Sequence, residues 1–265
     1  INDSIKLFFF FNFECLVVND ASTTELPEIS KPNKLDSVEI LNMRENRGHA
    51  RCNAFGIGYV FQNKEFDYLI LMDGDGEDRP IEIKALVEKT LKNPNVSVVA
   101  KRVKRSEGFL FQFLYQVHKL ITFIFTGKNI NFGNYSILTK DDVGKLHSKA
   151  SLWSSFSGSV KKYLKPLNEI NSIRGLRYFG PSKMSLLKLI IHSFSIIAVF
   201  KYNVFIRSTL MLVALAYLNL GNLTIFSQVL IVVFNLLIFI VSQREQEKDL
   251  FNSHSNLNNV KKITH

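Results

Sequence analysis

The sequence predicts an α/β domain with a mostly parallel sheet flanked by helices, followed by a juxtamembrane helix and two transmembrane helices. Three observations lead to this fold class. Short apolar runs alternate with helical patterns in the first half of the chain, which is typical of a parallel sheet covered by helices. Acidic turns directly follow two of these runs. Two long apolar runs lie close to the C-terminus, and each has about the length of a membrane span.

The elements of the first half follow from apolar periodicity and turn residues. The run Leu7–Val18 ends in a polar turn without a small-residue cleavage site, so a buried strand is favoured over a signal peptide. The next predicted elements are a strand at Val38–Asn42, a helix at Asn46–Phe61, a strand at Phe66–Met72, a helix at Ile81–Lys92 and a strand at Val96–Ala100. An amphipathic stretch extends from Gly108 to Phe125, and residues 148–168 are polar and weakly patterned.

The C-terminal part is expected to associate with a membrane. Met184–Phe200 suits a helix at a membrane surface. Val204–Leu220, with Arg207 near its start, and Leu223–Ser242 are the two apolar runs. Other charges lie before the first run and after the second, so both ends should remain in the cytoplasm. A buried helical hairpin of a soluble protein is the alternative. The predicted divisions are the α/β domain at 1–182, the juxtamembrane helix at 183–202, the transmembrane hairpin at 203–242 and a flexible polar tail at 243–265.

The composition limits the functional classes. The formal charge is +10, and many basic residues lie just before the apolar runs, where cations favour an anionic cytoplasmic leaflet. Nucleic acid is not an expected partner, because the sequence contains no recognised binding module. The two cysteines, Cys15 and Cys52, form no CxxC or zinc pattern, which indicates a reducing compartment.

The strongest candidate for chemistry is the segment MDGDGEDRP at Met72–Pro80. An apolar strand brings Asp73 and Asp75 to its carboxyl edge, where two carboxylates can hold a hard divalent cation with Glu77 as a third oxygen donor. Such a cation can neutralise a departing diphosphate. An EF-hand loop is excluded, because its sixth and twelfth positions would be Asp78 and Lys84. A solvated acidic turn remains the alternative.

Six segments in order carry a resemblance to a known family: LVVNDAST, NRGHARCNAFGIG, MDGDGEDRP, KRVKRSEG, FGNYSIL and IRGLRYFGPSKMS. Together they resemble glycosyltransferase family 2, specifically its dolichol- or polyprenyl-phosphate sugar synthase branch. The resemblance covers about Glu14 to the end of the second apolar run. It implies a GT-A, Rossmann-like fold, a UDP- or GDP-sugar donor, Mg²⁺ or Mn²⁺, and a polyprenyl phosphate acceptor at the cytoplasmic face of the inner cell membrane.

The resemblance also implies roles for single residues. Asp73 and Asp75 are the expected catalytic residues. The expected nucleotide-sugar residues are Asn19, Asp20, Asn46, Gly48 and Asp73; the metal ligands are Asp73, Asp75 and Glu77; and the acceptor or phosphate contacts are Arg102, Arg105, Ser136, Arg177 and Lys183. Structural alternatives stay open at several positions: an Asx turn for Asp20, a helix cap for Asn46 and Gly48, and a solvated basic loop for Arg102 and Arg105.

An absence bears on the acceptor. Residues 143–168 contain no Asp or Glu, although transfer to a hydroxyl usually needs a carboxylate base there. A phosphate monoester, with a second pKa of about 6, is already largely ionised at neutral pH and needs no base. The sequence therefore favours a polyprenyl phosphate acceptor, and the family's single displacement implies inversion to a β-linked product.

Two departures from the family pattern leave other functions open. The sequence ahead of Asp20 is too short for the strand and helix with which the family begins, so we expect both to be missing from the domain. Tyr135 stands where relatives often carry Arg. The alternatives are a transferase that uses a saccharide or lipid hydroxyl in cell-envelope polysaccharide synthesis, and an inactive, truncated membrane scaffold. Assembly as a homo-oligomer is also open.

Overall fold

The computed structural model describes residues 11–23, 34–104, 109–178, 180 and 185–263. By their internal contacts the residues divide into two compact units, which are described separately. The first unit comprises Ile1–Glu65 with Glu247–His265, and the second comprises Phe66–Gln246. The sequence-based strands and helices of the first half are present wherever residues are described, with ends shifted by a few positions.

The first unit contains a three-stranded sheet of order β1–β2–β7. Its elements are β1 (Glu14–Asn19), β2 (Ser37–Met43), α1 (His49–Asn63), α9 (Glu247–His254) and β7 (Leu257–Ile263). β1 and β2 are parallel, whereas β7 is antiparallel to β2. Helix α1 packs closely on β1, because a Cβ at Gly56 would lie 2.9 Å from Val18 Cγ2. The prediction of a flexible tail is therefore wrong for residues 247–263, which form a helix and a sheet strand.

A buried charge connects three elements of the first unit. Glu39 of β2 is only 4% exposed. Its Oε1 accepts a hydrogen bond of 2.8 Å from Lys64 Nζ, at the end of α1, and lies 3.4 Å from Nζ of Lys262 in β7. A buried carboxylate needs such partners, since an unpaired charge in a protein interior is costly.

The second unit contains a four-stranded sheet of order β3–β5–β4–β6. The elements up to its last strand are β3 (Tyr68–Leu71), α2 (Ile83–Lys92), β4 (Val98–Lys104), α3 (Phe109–Thr126), β5 (Phe132–Thr139), α4 (Lys140–Leu146), α5 (Phe156–Tyr163) and β6 (Asn168–Ile173). β5 is antiparallel to both β3 and β4, and β4 is parallel to β6. Three strands therefore point in one direction, with β5 reversed between two of them.

The prediction of a mostly parallel sheet is therefore wrong at the level of neighbouring strands. Three of the five strand pairs among the described residues are antiparallel. The alternation of apolar runs and helices predicts strands but does not say which neighbour each strand joins. β5 enters the sheet between β3 and β4, and that placement depends on contacts distant in sequence.

The stretch that reads as polar and weakly patterned is largely buried. It forms a 3₁₀ turn at Ala150–Trp153 followed by α5, and the side chains of residues 151–160 are buried. Its serines form hydrogen bonds with one another and with the backbone at the start of α5. Ser151 Oγ lies 2.8 Å from Ser159 Oγ, and Ser155 Oγ accepts a hydrogen bond from Gly158 N. Buried hydroxyls are tolerated when they are hydrogen-bonded in this way, so polarity alone misleads here.

Among the described residues of the second unit, three α-helices follow β6: α6 (Leu186–Ala198), α7 (Lys201–Leu218) and α8 (Asn222–Ser242). Among the described residues, one helix, Asn222–Glu245, is long and apolar enough to cross a membrane. Leu187–Ala198 and Lys201–Leu218 meet that standard only as a pair, and they are bent by 88° to each other. The prediction of two transmembrane helices is therefore not confirmed. The bend is buried in a cluster that includes Ala198, Val204 and Ile238.

Candidate active site

The directions of the strands bring several polar residues to one edge of the second unit's sheet. The carboxyl ends of β3, β4 and β6 meet there with the start of β5. Asp73 follows β3, Arg102 lies near the end of β4, and Asn134 lies near the start of β5. Ligands of open α/β sheets bind outside the carboxyl ends of strands, so this edge is the candidate site.

The loop after β3, residues 73–78, is here called the acidic turn. The Asp73 backbone N–H donates to Asp78 Oδ2 at 2.9 Å, and Asp73 Oδ1 accepts from Asn134 Nδ2 at 3.2 Å. Glu77 N donates to Asp75 Oδ1 at 3.0 Å, which is an Asx turn. Burial, followed by the charge of Asp73, raises the pKa of Asp78 to about 6. Sequence reasoning considered Asp78 only as a misfit to an EF-hand, because residue spacing does not reveal that it supports Asp73.

Two arginines that follow β6 form ion pairs with Asp75 and Glu77 of the acidic turn. Arg177 Nε lies 3.1 Å from Glu77 Oε1, and Arg177 Nη2 lies 3.0 Å from Asp75 Oδ2. Arg174 makes a close ion pair with Glu77 Oε2. Burial raises the pKa of Glu77, but the hydrogen bonds and charges of Arg174 and Arg177 outweigh it and hold the pKa below its ordinary value. Glu77 is therefore an ionised anchor for two guanidinium groups.

Residues 174–178, here called the arginine segment, also contact the acidic turn through their backbone. Gly175 N donates to Glu77 O at 2.8 Å, and Tyr178 N donates to Asp75 O at 2.9 Å. Gly76 has a φ of 91°, and a Cβ there would lie 2.8 Å from the Tyr178 ring. A Cβ on Gly175 would lie 2.5 Å from Gly76 O. The two segments thus fit so closely that glycine is needed on both sides.

The carboxylate oxygens of the acidic turn are suitable ligands for a hard divalent cation, but they are not arranged as a metal site. Carboxylate oxygens are the ligands that Mg²⁺ and Mn²⁺ prefer, and the Asp75 side chain is 32% exposed. No group of three or more His, Cys, Asp or Glu side chains within the described residues is arranged to hold a metal ion. Arg177 supplies positive charge at Asp75, which is the charge that a metal ion would bring to the same carboxylate.

The residues expected to contact the acceptor or its phosphate differ in whether they lie at the candidate edge. The guanidinium of Arg102 lies against Gly133, where a Cβ would overlap it, so Arg102 lies at the candidate edge. Ser136 is fully buried, and its Oγ donates to Asn134 O at 2.8 Å, so its position does not support contact with an acceptor. Arg105 and Lys183 lie outside the described residues. Arg177 contacts the acidic turn, as given above.

Tyr135, which stands where the resemblance led us to expect Arg, has a structural role. Its ring is 2% exposed, and its hydroxyl donates to Arg79 O at 2.7 Å. Burial raises the pKa of Tyr135 above its ordinary value, so the hydroxyl keeps its proton. It thereby fixes the chain directly after the acidic turn.

The expected nucleotide residues of the first unit also come together. Asp20 Oδ1 accepts from Arg47 N and Asp20 Oδ2 from Gly48 N, both at 2.8 Å, while Asn46 Nδ2 donates to Asp20 O at 2.9 Å. Gly48 adopts a φ of 87°, which favours glycine. The Asp20 carboxylate thus binds backbone amides just ahead of α1. These contacts join residues 27 and 28 positions apart, so they differ from the local Asx turn that the sequence left open for Asp20.

A ladder of three asparagines crosses the sheet of the first unit. Asn19 Nδ2 donates to Asn42 Oδ1 at 2.9 Å, and Asn42 Nδ2 donates to Asn259 Oδ1 at 2.8 Å. These residues are also paired in register across β1, β2 and β7. Sequence reasoning missed Asn42 and Asn259, because only strand register places residues 217 positions apart side by side.

Comparison with known protein families identifies the family of this domain. The family model described as glycosyl transferase family 2 matches residues 2–156. This range includes the acidic turn and β5 and ends at the start of α5, whereas the arginine segment and α6–α8 follow it. No curated protein matches the chain.

Proposed function

The chain belongs to glycosyl transferase family 2, and from this premise we propose that it transfers a sugar from a UDP- or GDP-sugar to a polyprenyl phosphate. Membership of the family implies a nucleotide-sugar donor, an acceptor and glycosyltransferase activity. The identities of the donor and of the acceptor are proposed. The observation that supports it best is the pairing of the acidic turn with the arginine segment at one sheet edge, since this brings together groups that recognise metal ions and phosphates.

The donor end of the proposal concerns the acidic turn. Asp73 and Asp75 would hold Mg²⁺ or Mn²⁺, and Glu77 would join them once Arg174 and Arg177 release it. The metal ion would stabilise the negative charge of the departing nucleoside diphosphate. Asn134 keeps Asp73 oriented through its 3.2 Å hydrogen bond, and buried Asp78 fixes the backbone beneath it. Asn19, Asp20, Asn46 and Gly48 are proposed to shape the nucleotide-binding surface of the first unit.

The acceptor end relies on charge. A phosphate oxygen of the acceptor would attack C1 of the sugar, the bond from C1 to the donor diphosphate would break, and that diphosphate would leave with the electron pair. No proton moves, which agrees with the lack of Asp and Glu in residues 143–168. Arg102 and Arg177 are proposed to bind phosphate oxygens, as guanidinium groups do well, together with Arg105 and Lys183. For Ser136, which is buried, we propose no direct contact.

The location of the enzyme is proposed to be the inner cell membrane, with the α/β domain on the cytoplasmic side. Helix α8 has the length and apolarity of a span, and α7 would be its partner. β7 follows α8 in the chain and pairs with β2, which precedes α6. The chain therefore contributes strands to one sheet both before and after the α7–α8 pair. This supports a hairpin with both of its ends on the same side of the membrane.

The central test is Asp75→Asn in membranes supplied with labelled nucleotide sugars and divalent cation. We expect the labelled lipid product to disappear while the amount of folded protein stays the same, because one metal-binding oxygen charge is lost. Asp141→Asn, an exposed carboxylate in the first turn of α4, is the matched control and should retain full turnover. Undiminished product from Asp75→Asn would remove the metal role.

Product chemistry separates the two acceptor classes. A sugar phosphodiester is cleaved by mild acid, whereas a glycoside of a saccharide or lipid hydroxyl is more resistant. Acid-resistant product would favour the hydroxyl acceptor. If the chain neither forms product nor binds any UDP- or GDP-sugar in calorimetry with Mn²⁺, the inactive scaffold is the better account.

A further inference from the structure

Helix α3 carries three exposed apolar side chains on one face, here called the stripe. Phe113, Leu120 and Phe123 are separated by seven and three residues, which places them on the same side of the helix. The three apolar members are 56%, 58% and 54% exposed. An exposed apolar stripe with this regularity is typical of a surface that contacts something other than water.

A second face of α3 is attached to the helices that follow β6. Ile121 and Phe125 pack against the cluster of Ala198, Val204 and Ile238, and the Phe125 ring lies 4.3 Å from the Phe234 ring of α8. Helix α3 is therefore in direct contact with α8, which is long and apolar enough to span a membrane.

Arg207 joins α3 to α7 at a specific point. Its Nε donates to Ile124 O in the last turn of α3 at 2.8 Å. A Cβ at Gly127, directly after the helix, would lie 2.9 Å from Arg207 Nη1. A cation at a helix C-terminus binds the unpaired carbonyl groups and interacts favourably with the helix dipole. This contact accounts for the one charge inside the first apolar run.

The border of the stripe is polar and basic. Gln116, Lys119 and Asn129 line an open groove of about 290 Å³ together with Leu120 and Phe123. Lys119 Nζ lies 5.8 Å from the centre of the Tyr115 ring. A lysine and an aromatic ring beside an apolar face are characteristic of helices that lie at the headgroup level of a bilayer.

We propose that α3 lies in the interface of an anionic bilayer, with Phe113, Leu120 and Phe123 among the acyl chains and Lys119 at the lipid phosphates. The inference rests on the proposed membrane attachment through α8 and adds a second contact outside the C-terminal helices. α7, which packs on α3, exposes Ile206 and Leu210 as well, so the apolar exposure of α3 continues onto the proposed anchor.

Tryptophan quenching by brominated acyl chains can test this on the full chain in vesicles. Trp153 is the only tryptophan in the sequence and is buried, so Trp153→Phe gives a silent background. Into it we would place Phe123→Trp or Leu120→Trp on the stripe, Phe239→Trp on α8 as the anchor reporter, and Leu91→Trp on α2 as the water reporter. Leu91 and Phe239 are 44% and 52% exposed.

We expect brominated lipid to quench Phe123→Trp and Leu120→Trp at least half as strongly as Phe239→Trp, and to leave Leu91→Trp unquenched. If Phe239→Trp is quenched while both stripe variants match Leu91→Trp, the interfacial role of α3 is wrong and the anchor stands. If Phe239→Trp also remains unquenched, the anchor and the inference fail together. Unquenched stripe variants with blue-shifted emission would show that protein, such as a second copy, covers the stripe instead.

The headgroup part has its own test. In vesicles that contain phosphatidylglycerol, Lys119→Glu in the Phe123→Trp background should lower quenching, because a like charge then faces the lipid phosphates. In pure phosphatidylcholine the same change should matter much less. Lys84→Glu, at an exposed position of α2, is the control for net charge. Equal effects of the two charge changes would contradict a specific role of Lys119.

Discussion

Arg177 contacts both Asp75 and Glu77, so one guanidinium group forms ion pairs with two carboxylates that the sequence assigned to a metal ion. A divalent cation and Arg177 would therefore compete for Asp75. Asp75 and Arg177 are partly exposed, so the attraction between their charges is moderate. A divalent cation can therefore replace Arg177 at the Asp75 carboxylate.

The competition predicts a gain of metal affinity in Arg177→Gln. Removing the guanidinium leaves Asp75 without its 3.0 Å partner, and Mn²⁺ affinity should rise about tenfold, equivalent to ~1.4 kcal/mol. Turnover should fall in the same variant, because the proposed phosphate contact is lost. Calorimetry with Mn²⁺ measures the first effect independently of activity. Lys101→Gln, on the same sheet in β4, is the control; an unchanged Mn²⁺ affinity in Arg177→Gln would show that the pair does not limit metal binding.

At the level of elements, β7 depends on a buried charge as well as on strand pairing. Glu39 lies between Lys64 and Lys262. Burial raises the pKa of Glu39, but the hydrogen bonds and charges of the two lysines outweigh it, so the pKa is lowered in the folded chain. A lowered carboxyl pKa contributes stability above the ordinary pKa, and that contribution is lost as the pH falls through the folded value.

Glu39→Gln should accordingly destabilise the chain by about 2 kcal/mol at pH 7, the usual loss for a buried hydrogen bond to a charged group. The difference from the unsubstituted chain should shrink as the pH falls through the lowered pKa of Glu39, because the carboxyl then becomes protonated. Urea unfolding followed by circular dichroism, at pH 7 and at an acidic pH where the chain is still folded, measures this. Glu14→Gln removes only an exposed pairing with Lys64 and should change stability by less than about 0.5 kcal/mol. An equal loss at both pH values would contradict the charge explanation.

At the level of the whole molecule, β7 joins a sheet whose other two strands lie more than 200 residues earlier in the sequence. β2 has β1 on one side and β7 on the other, with Leu41 opposite Val260. Leu41 is fully buried. Removing β7 would uncover backbone groups along β2, which leaves an edge prone to unfolding or to pairing with another chain.

Deletion of residues 247–265 should therefore make the first unit sensitive to proteases, while the chain remains in the membrane fraction through α8. Limited proteolysis of vesicles, with fragments identified by mass, measures both outcomes. Val260→Thr keeps a β-branched residue in the same strand and should stay resistant. A deleted chain as resistant as the control would show that these residues act as the flexible tail that the sequence predicted.

Local pattern alone determined β1–β4, α1–α3 and the acidic turn with Asp73 and Asp75, because apolar periodicity and turn chemistry depend on neighbouring residues. It also revealed the apolar run that forms α8. Only tertiary structure decided that β5 enters the sheet reversed, that Asn259 pairs with Asn42, that Arg174 and Arg177 bind Glu77, and that α3 packs on α8. These contacts join residues far apart in the chain, so they follow from strand order and packing, which no local pattern encodes.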